Sequence, residues 1–171
     1  MGSEMCIRDS YTSDGKGHLE VRALNKDGEY LKRPTRLSGG GGLVSTGRDY
    51  MRFLMMIAGG GEFQGKQYLK PETVALMTSN QLSKEVGWIK FGTEVRTGVG
   101  FGFGCCVREE MSDWDPQGHV GEYGWGGLAS THYWVSPADD DLIVVTLEQV
   151  LPYSFMTEFK LKGLIYDAIE K

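Results

Sequence analysis

The chain has 171 residues, of which 40% are hydrophobic and 24% are charged, a composition typical of globular proteins and unlike that of disordered or fibrous chains. Its formal net charge is −5 and its basic residues are scattered, so it lacks the basic patch of a nucleic-acid-binding protein. The longest apolar runs are far shorter than the roughly 20 residues that cross a bilayer. Nucleic acid is therefore excluded as a partner, and no membrane span is predicted.

The first ten residues match nothing that follows them. Segment 1–10 has no apolar core, so it is not a secretory signal. We interpret it as a non-native leader, either an adapter remnant from a metagenomic reading frame or a cloning scar, with a native disordered tail as the alternative. Residues 11–171 then form the C-terminal part of a domain. Because a non-native leader would replace any targeting signal, cytoplasmic, periplasmic and secreted locations all stay open.

The first predicted elements are a hairpin and a helix. Asp14-Gly15 is a turn signal beside the weakly alternating segment 19–24, which predicts a hairpin in an otherwise irregular region. Apolar residues at helical spacing after Thr46 predict a helix. Thr46 and Asp49 form a capping-box start, and glycines from Gly59 onwards provide the stop.

The remaining elements alternate helix, sheet and helix. Pro71 opens a second helix that runs to about Ser79, after a short exposed link over 62–69. A C-terminal helix begins near Phe155. Short strands are predicted at 88–91, 99–104, 123–135 and 142–147, the last two as an antiparallel hairpin. The order of these elements predicts an α+β fold.

Metal and nucleotide chemistry have little support in the sequence. The three histidines lie far apart and in no metal-binding spacing, and the three cysteines form no C-x-x-C motif. Gly124-x-Gly126-x-x-Ala129 fits a dinucleotide fingerprint only superficially, because a strand-like segment follows it rather than a helix. We therefore expect neither a metal site nor a cofactor.

One pair of residues has the spacing of a serine nucleophile and a lysine base. Ser13-x-x-Lys16 matches the pattern used by penicillin-recognising enzymes. A pair at this spacing arises easily by chance, and the Asp14-Gly15 turn signal inside it opposes the helix that the chemistry needs. We interpret Ser13 as a loop residue.

Glycine makes up 25 of the 171 residues, and the stretch Gly124-Trp125-Gly126-Gly127 is the most informative of its clusters. Glycines within a strand allow a substrate to lie against the backbone, where an N–H group polarises its carbonyl. Equally, they allow a bulky neighbouring side chain to pack there. Spacing alone leaves both interpretations open.

Several blocks together resemble the serine β-lactamase-related hydrolases, which include class C β-lactamase-like proteins and their esterase relatives. The blocks occur in the order seen in that family and are distributed over residues 11–171. They are Gly39–Thr46 with Asp49-Tyr50 and Phe53-Leu54, Leu69–Val74 with Leu76-Met77, Gly100–Gly104, and Gly124–Gly127 with Trp134–Pro137. The resemblance implies an antiparallel sheet packed by helices, including a C-terminal helix, joined to a mostly helical subdomain.

The resemblance also implies an acyl-enzyme mechanism. Trp125-Gly126-Gly127 resembles the Trp-Gly-Gly variant of the family's Lys-Thr-Gly strand. Trp125 would then wall the acyl pocket, Gly126 and Gly127 would leave the strand open to substrate, and the Leu128 backbone N–H would donate to the oxyanion. Tyr123 is a further candidate for substrate contact. The complete enzyme would cleave small carboxylic esters or amides. Loss of the lysine charge weakens recognition of a β-lactam carboxylate and therefore favours an ester substrate.

The match is incomplete in one respect. In the family, the nucleophile and the tyrosine motif both precede the block that corresponds to Gly39–Thr46. In this chain, no helical Ser-x-x-Lys and no Tyr-x-Asn precede that block. We therefore expect roughly the C-terminal half of a serine hydrolase, with no nucleophile and no activity alone, and with the N-terminal half of the domain as its partner. The alternatives are a non-catalytic ligand- or peptide-binding module and a remnant that folds only with a partner half.

Overall fold

An antiparallel five-stranded sheet forms the centre of the computed structural model, which describes residues 10–14, 16, 18–22, 33, 35–36, 45–127, 130–147, 150–151 and 155–169. The described elements, in chain order, are β1 (Ser10–Ser13), β2 (Leu19–Arg22), α1 (Gly47–Ala58), β3 (Glu62–Phe63), β4 (Lys66–Gln67), α2 (Pro71–Met77), β5 (Lys90–Phe91), β6 (Glu94–Val95), β7 (Val99–Phe101), β8 (Cys106–Arg108), β9 (Tyr123–Gly126), β10 (Thr131–Ser136), β11 (Leu142–Leu147), β12 (Val150–Leu151) and α3 (Phe155–Ile169).

The central sheet has the strand order β11-β10-β9-β8-β7, so each strand lies beside its neighbour in sequence. A second sheet has the order β12-β1-β2, in which β1 is parallel to β12 and antiparallel to β2. The pairs β3–β4 and β5–β6 form separate short hairpins. These helices and mostly antiparallel sheets, with a C-terminal helix, confirm the predicted α+β class.

Helix α1 covers one face of the central sheet. Its start is capped as predicted, since the Asp49 N–H donates to the Thr46 hydroxyl (3.1 Å). Its buried residues Leu54 and Ile57 join the apolar core. Register places Val107, Tyr123 and Val135 opposite one another in adjacent strands, and these three complete this side of the core. The interior on this face is therefore apolar.

Helix α3 covers the other face through buried charges. Lys162 Nζ donates to Asp115 Oδ2 (2.7 Å) and to Glu122 Oε1. Arg108 donates to the carboxylate of Asp115 and to its backbone carbonyl (2.6 Å), and the Tyr166 hydroxyl donates to Glu122 Oε2 (2.7 Å). Two cations and two carboxylates thus neutralise one another where none is exposed to water.

A side-chain clasp fixes the segment after α2 against β7. Asn80 Oδ1 accepts from the backbone N–H groups of Phe101 (3.1 Å) and Leu82 (3.0 Å). A Cβ atom on Gly100 would lie 2.2 Å from Asn80 Cγ, so glycine is required for this approach. Gly100 therefore lies on the face of β7 that receives the clasp.

Several sequence predictions were wrong in detail. The expected exposed link at 62–69 contains the β3–β4 hairpin, whose turn residues Gln64 and Gly65 have positive φ values of 52° and 76°. The expected strand 123–135 is two strands, because the chain reverses between β9 and β10 and the Ser130 N–H donates to the Gly127 carbonyl (3.0 Å). Helix α2 ends at Met77, and β5 and β7 are shorter than predicted.

Other predictions about the chain agree with the described residues. The hairpin near Asp14, the β10–β11 hairpin and the C-terminal helix are all present. Of residues 1–10, only Ser10 lies in the described part of the chain, where it pairs with Arg22, and the leader interpretation stays a prediction. Among the described residues, no helix combines the length and apolar character needed to cross a bilayer.

Candidate active site

Strand β9 places Trp125 and Gly126 at the centre of the sheet. The glycines on either side of this pair, Gly124 and Gly127, leave little room for a side chain. A Cβ atom on Gly124 would lie 2.3 Å from the Tyr133 carbonyl oxygen of β10. One on Gly127 would lie 2.6 Å from the Thr131 hydroxyl. At these two positions the absent side chain makes room for β10, and the role of Gly127 in leaving the strand open to substrate stays a prediction.

The backbone of Gly126 is directed differently. The Gly127 N–H donates to the Thr131 carbonyl of β10 (2.7 Å). Successive residues of a strand alternate the direction of their backbone groups, so the Gly126 N–H and C=O point away from β10, towards the β8 side. Strand β8 has its last register partner in β9 at Gly124. In the described part of the chain, β9 therefore presents an uncovered strand edge at Gly126.

The β7–β8 turn is held at the end of α2, and it does not continue the pairing of β8 with β9 as far as Gly126. The Phe103 N–H donates to the Met77 carbonyl at the end of α2 (3.0 Å), and Cys105 Sγ contacts the same oxygen (3.4 Å). Gly102 allows this approach, because a Cβ atom there would lie 2.0 Å from Met77 O.

Trp125 is fixed by aromatic contacts on the open side. Its ring centroid lies 5.0 Å from that of Phe101, in edge-to-face geometry, and 5.7 Å from that of Phe91. Phe101 belongs to β7, which lies beyond β8 in the sheet. The indole therefore lies on the same side of β9 to which the Gly126 backbone points.

A buried guanidinium supports this aromatic cluster. The Arg96 Cζ atom lies 4.4 Å from the Phe91 ring centroid, 4.8 Å from that of Trp114 and 5.8 Å from that of Trp125. Glu94 accepts from Arg96 Nε (3.1 Å) and from Trp114 Nε1 (3.2 Å). Cation–π contacts of this kind stabilise the positions of the three rings.

An apolar groove of about 460 Å³ runs along Trp125. Its wall is the segment that the Asn80 clasp holds beside β7. The lining residues are Leu82, Val86, Trp88, Ile89, Lys90, Phe91, Phe101 and Trp125. Lys90 is the one ionisable side chain in this lining, so the groove is an apolar surface with a single cation.

The other predicted site residues are distributed differently. Tyr123 is buried in the core on the α1 side, where burial raises its pKa, and this position favours packing over substrate contact. Glu122 belongs to the buried charge cluster, and His119 pairs with Asp139 (2.9 Å). Leu128 lies outside the described residues, so its oxyanion role stays a prediction.

The Ser13-x-x-Lys16 pair is not on a helix. Ser13 is the last residue of strand β1 and pairs with Leu19, which corrects its interpretation as a loop residue. Asp14 Oδ1 then accepts from the Lys16 N–H (2.6 Å), which closes a turn. This backbone lacks the helical turn that aligns a serine with a lysine three residues later.

The two described cysteines are poor nucleophiles. Burial raises the pKa of Cys105 to about 11 and that of Cys106 to about 12, so both thiols stay protonated at neutral pH. In the described residues, no group of three or more His, Cys, Asp or Glu side chains is placed to hold a metal ion.

Comparison with known proteins identifies the family. The sequence profile of the Beta-lactamase family matches residues 4–158. The chain belongs to the Beta-lactamase family. Two curated relatives from Mycobacterium tuberculosis, "Uncharacterized protein MT1414" and "Protein Rv1367c", are each 35% identical over 127 residues, which is 72% of this chain and 31% of the relative. The chain thus spans about a third of the length of these relatives.

Solved structures show the same fold. A simvastatin synthase (LovD6 mutant) from Aspergillus terreus superposes with a TM-score of 0.70 at 20% identity, covering 95% of this chain and 43% of that one. EstCE1, described as a hydrolase with promiscuous acyltransferase activity, superposes with a TM-score of 0.67 at 22% identity, with the same coverage. Both superpositions extend over nearly the whole of this Beta-lactamase-family chain.

Sequence reasoning missed the support around Trp125. Arg96 and Trp114 come from separate loops, and nothing in their spacing indicates that they converge. Asn80 follows the predicted end of the second helix, and its contact with β7 was not predicted. The alternating glycines at Gly100 and Gly102 were a usable signal, because a bare strand face requires a partner segment.

Proposed function

We propose that this chain supplies the oxyanion strand and one pocket wall of an acyl-transfer site that cleaves small carboxylic esters or amides through an acyl-enzyme. The observation that carries the proposal is the uncovered edge of β9 at Gly126, directly beside Trp125. A substrate carbonyl at such an edge meets backbone donors that are already in place, which is how oxyanion sites lower a barrier. The Leu128 N–H is the donor that the family motif assigns.

The substrate is an ester or amide rather than a β-lactam. Trp125 occupies the place of the family's lysine, so this strand offers no ammonium group to a substrate carboxylate. The names of the structural neighbours, a synthase and a hydrolase with acyltransferase activity, agree with acyl transfer. Their identities to this chain are too low to transfer a particular substrate.

The nucleophile and its base belong, in this proposal, to a portion of the domain that this chain does not contain. The single Ser-x-x-Lys of the sequence lies on a strand end and a turn. The mycobacterial relatives are about three times as long as the matched region. We therefore propose that the 171-residue chain alone is inactive and that the N-terminal half of the domain completes the site.

Turnover of p-nitrophenyl acetate tests the missing nucleophile. We expect the chain to give no saturable hydrolysis, and Ser13→Ala to change nothing, because the described backbone from Ser13 to Lys16 is a strand end and a turn rather than a helix. Saturable hydrolysis that Ser13→Ala abolishes would contradict the proposal.

A second candidate function rests on the same uncovered edge. Strand edges also accept an extended peptide as an added strand, which would make the chain a non-catalytic binding module. The two functions differ in whether a carbonyl bound at the edge reacts. A chimera that joins the N-terminal part of EstCE1 to residues 11–171 separates them, because only the catalytic function predicts ester hydrolysis by the chimera.

A further inference from the structure

We infer that the groove beside Trp125 is an acyl-chain site, selective for substrates whose acyl group is an aliphatic chain of medium length. The inference rests on the proposed function, because it names the substrate class of that site. The Trp-Gly-Gly motif implies only Trp125 at the acyl pocket, whereas most of the groove lining comes from segment 82–91.

The first argument is position. Trp125 is shared by the groove and by the strand that carries the proposed oxyanion donor. Its ring contacts Phe101 of β7, so the groove opens on the side of β9 to which the Gly126 backbone points. A carbonyl held at that edge therefore has its acyl chain directed along the groove.

The second argument is chemical. Seven of the eight lining residues are aliphatic or aromatic, and a volume of about 460 Å³ lies within the ~300–1,000 Å³ range of small-molecule sites. Val86 and Phe91 remain 52% and 43% exposed, so an aliphatic chain would remove apolar surface from water. The wall is also preorganised, because Asn80 and Arg96 hold its two ends.

The third argument is charge. Lys90 is exposed and lines the otherwise apolar groove. A single cation in such a surface favours an anionic occupant over a cationic one. The carboxylic acid released by ester hydrolysis is such an anion, so the groove suits both the acyl group and its product.

Calorimetric titration of the chain with acetate, butyrate, hexanoate and octanoate tests the inference without any turnover. Burial of each added methylene should tighten binding by roughly two- to fourfold, which gives at least about 16-fold between butyrate and octanoate. Octylammonium should bind more weakly than octanoate. Affinity that does not rise with chain length would overturn the inference, and would also be the result if another protein segment covers the groove.

Paired variants locate the binding. Val86→Asp places a charge in the groove and should weaken octanoate binding at least tenfold, whereas Val120→Asp, at an equally exposed valine (55%) outside the lining, should not change it. Lys90→Gln should reduce the preference for octanoate over octylammonium, and Lys70→Gln should preserve it. Equal effects within either pair would overturn the inference.

The two proposals fail differently. A flat chain-length series removes the acyl-chain site and leaves the oxyanion strand untouched. A folded but inactive chimera of the EstCE1 N-terminal part with residues 11–171 would contradict the acyl-transfer function. Octanoate binding would then be the property of a non-catalytic binding protein.

Discussion

Gly124 and Gly126 are two residues apart in β9, yet they serve different purposes. Gly124 is covered by strands on both sides, and the place of its missing side chain is taken by the backbone of β10. Gly126 lies where β8 no longer covers β9. The sequence contains the same residue at both positions, so only the register of the neighbouring strands distinguishes the glycine that is covered on both sides from the glycine at the uncovered edge.

The packing role of Gly124 predicts a loss of stability on substitution. Gly124→Ala would place Cβ 2.3 Å from the Tyr133 carbonyl and 3.0 Å from Trp134 Cα. Overpacking of this kind costs about 1–3 kcal/mol. Urea unfolding of the chain should show this loss in the free energy of unfolding.

Gly163→Ala is the matched control. It lies within α3, and its nearest contact would be 3.7 Å from Gln117 Cδ, an ordinary van der Waals distance. Alanine is favoured over glycine within a helix by up to about 1 kcal/mol, so this variant should be as stable as the parent or more so. Equal destabilisation of both variants would contradict the close approach of β9 and β10.

At the scale of elements, α3 is attached to the sheet by charge as well as by apolar packing. Lys162 contacts two buried carboxylates, from Asp115 and Glu122. Removing one partner of a buried pair leaves the other charges uncompensated, which costs about 3–5 kcal/mol. Lys162→Met should therefore lower the free energy of unfolding by roughly that amount in urea titrations.

Lys160→Met, an exposed position on the same helix, is the control and should change stability by no more than about 0.5 kcal/mol. Similar small effects at both lysines would show that the buried cluster does not hold α3 to the sheet.

Local signals predicted some elements well. The Thr46 cap, the Pro71 start and the β10–β11 hairpin all depend on residues a few positions apart, so short-range physics determines them. The β3–β4 hairpin was missed because Gln64-Gly65 is a weaker turn signal than Asn-Gly. The reversal between β9 and β10 was missed because glycines within a predicted strand were taken to be extended.

Long-range contacts could not be predicted in this way. Lys162 and Glu122 are 40 residues apart, and Arg96 reaches Trp125 across two strands of the sheet. Charged residues are rarely buried unless paired, and nothing local identifies the pair. The candidate site was predicted only as the strand that carries the family motif, whereas its groove depends on the tertiary position of segment 82–91.

For the molecule as a whole, we propose that the Leu128 backbone N–H, in the segment that follows β9, donates to the oxyanion of an acyl-transfer site. A chimera tests it, in which the part of EstCE1 that precedes its structural match is fused ahead of residue 11. EstCE1 is a suitable donor because the two folds superpose over 95% of this chain. By the family resemblance, that part of EstCE1 should carry the nucleophile that we propose this chain lacks, so the contribution of the donor strand becomes measurable.

The decisive measurement is the hydrolysis rate of the chimera with Leu128→Pro against Leu128→Ala. Proline removes the backbone N–H, whereas alanine keeps it and removes only the side chain. We expect an active chimera in which Leu128→Pro lowers kcat by about 10²–10³-fold and Leu128→Ala lowers it by less than about threefold. The unfolding midpoints of both variants should confirm that they fold. An inactive but folded chimera, or equal losses in the two variants, would contradict it.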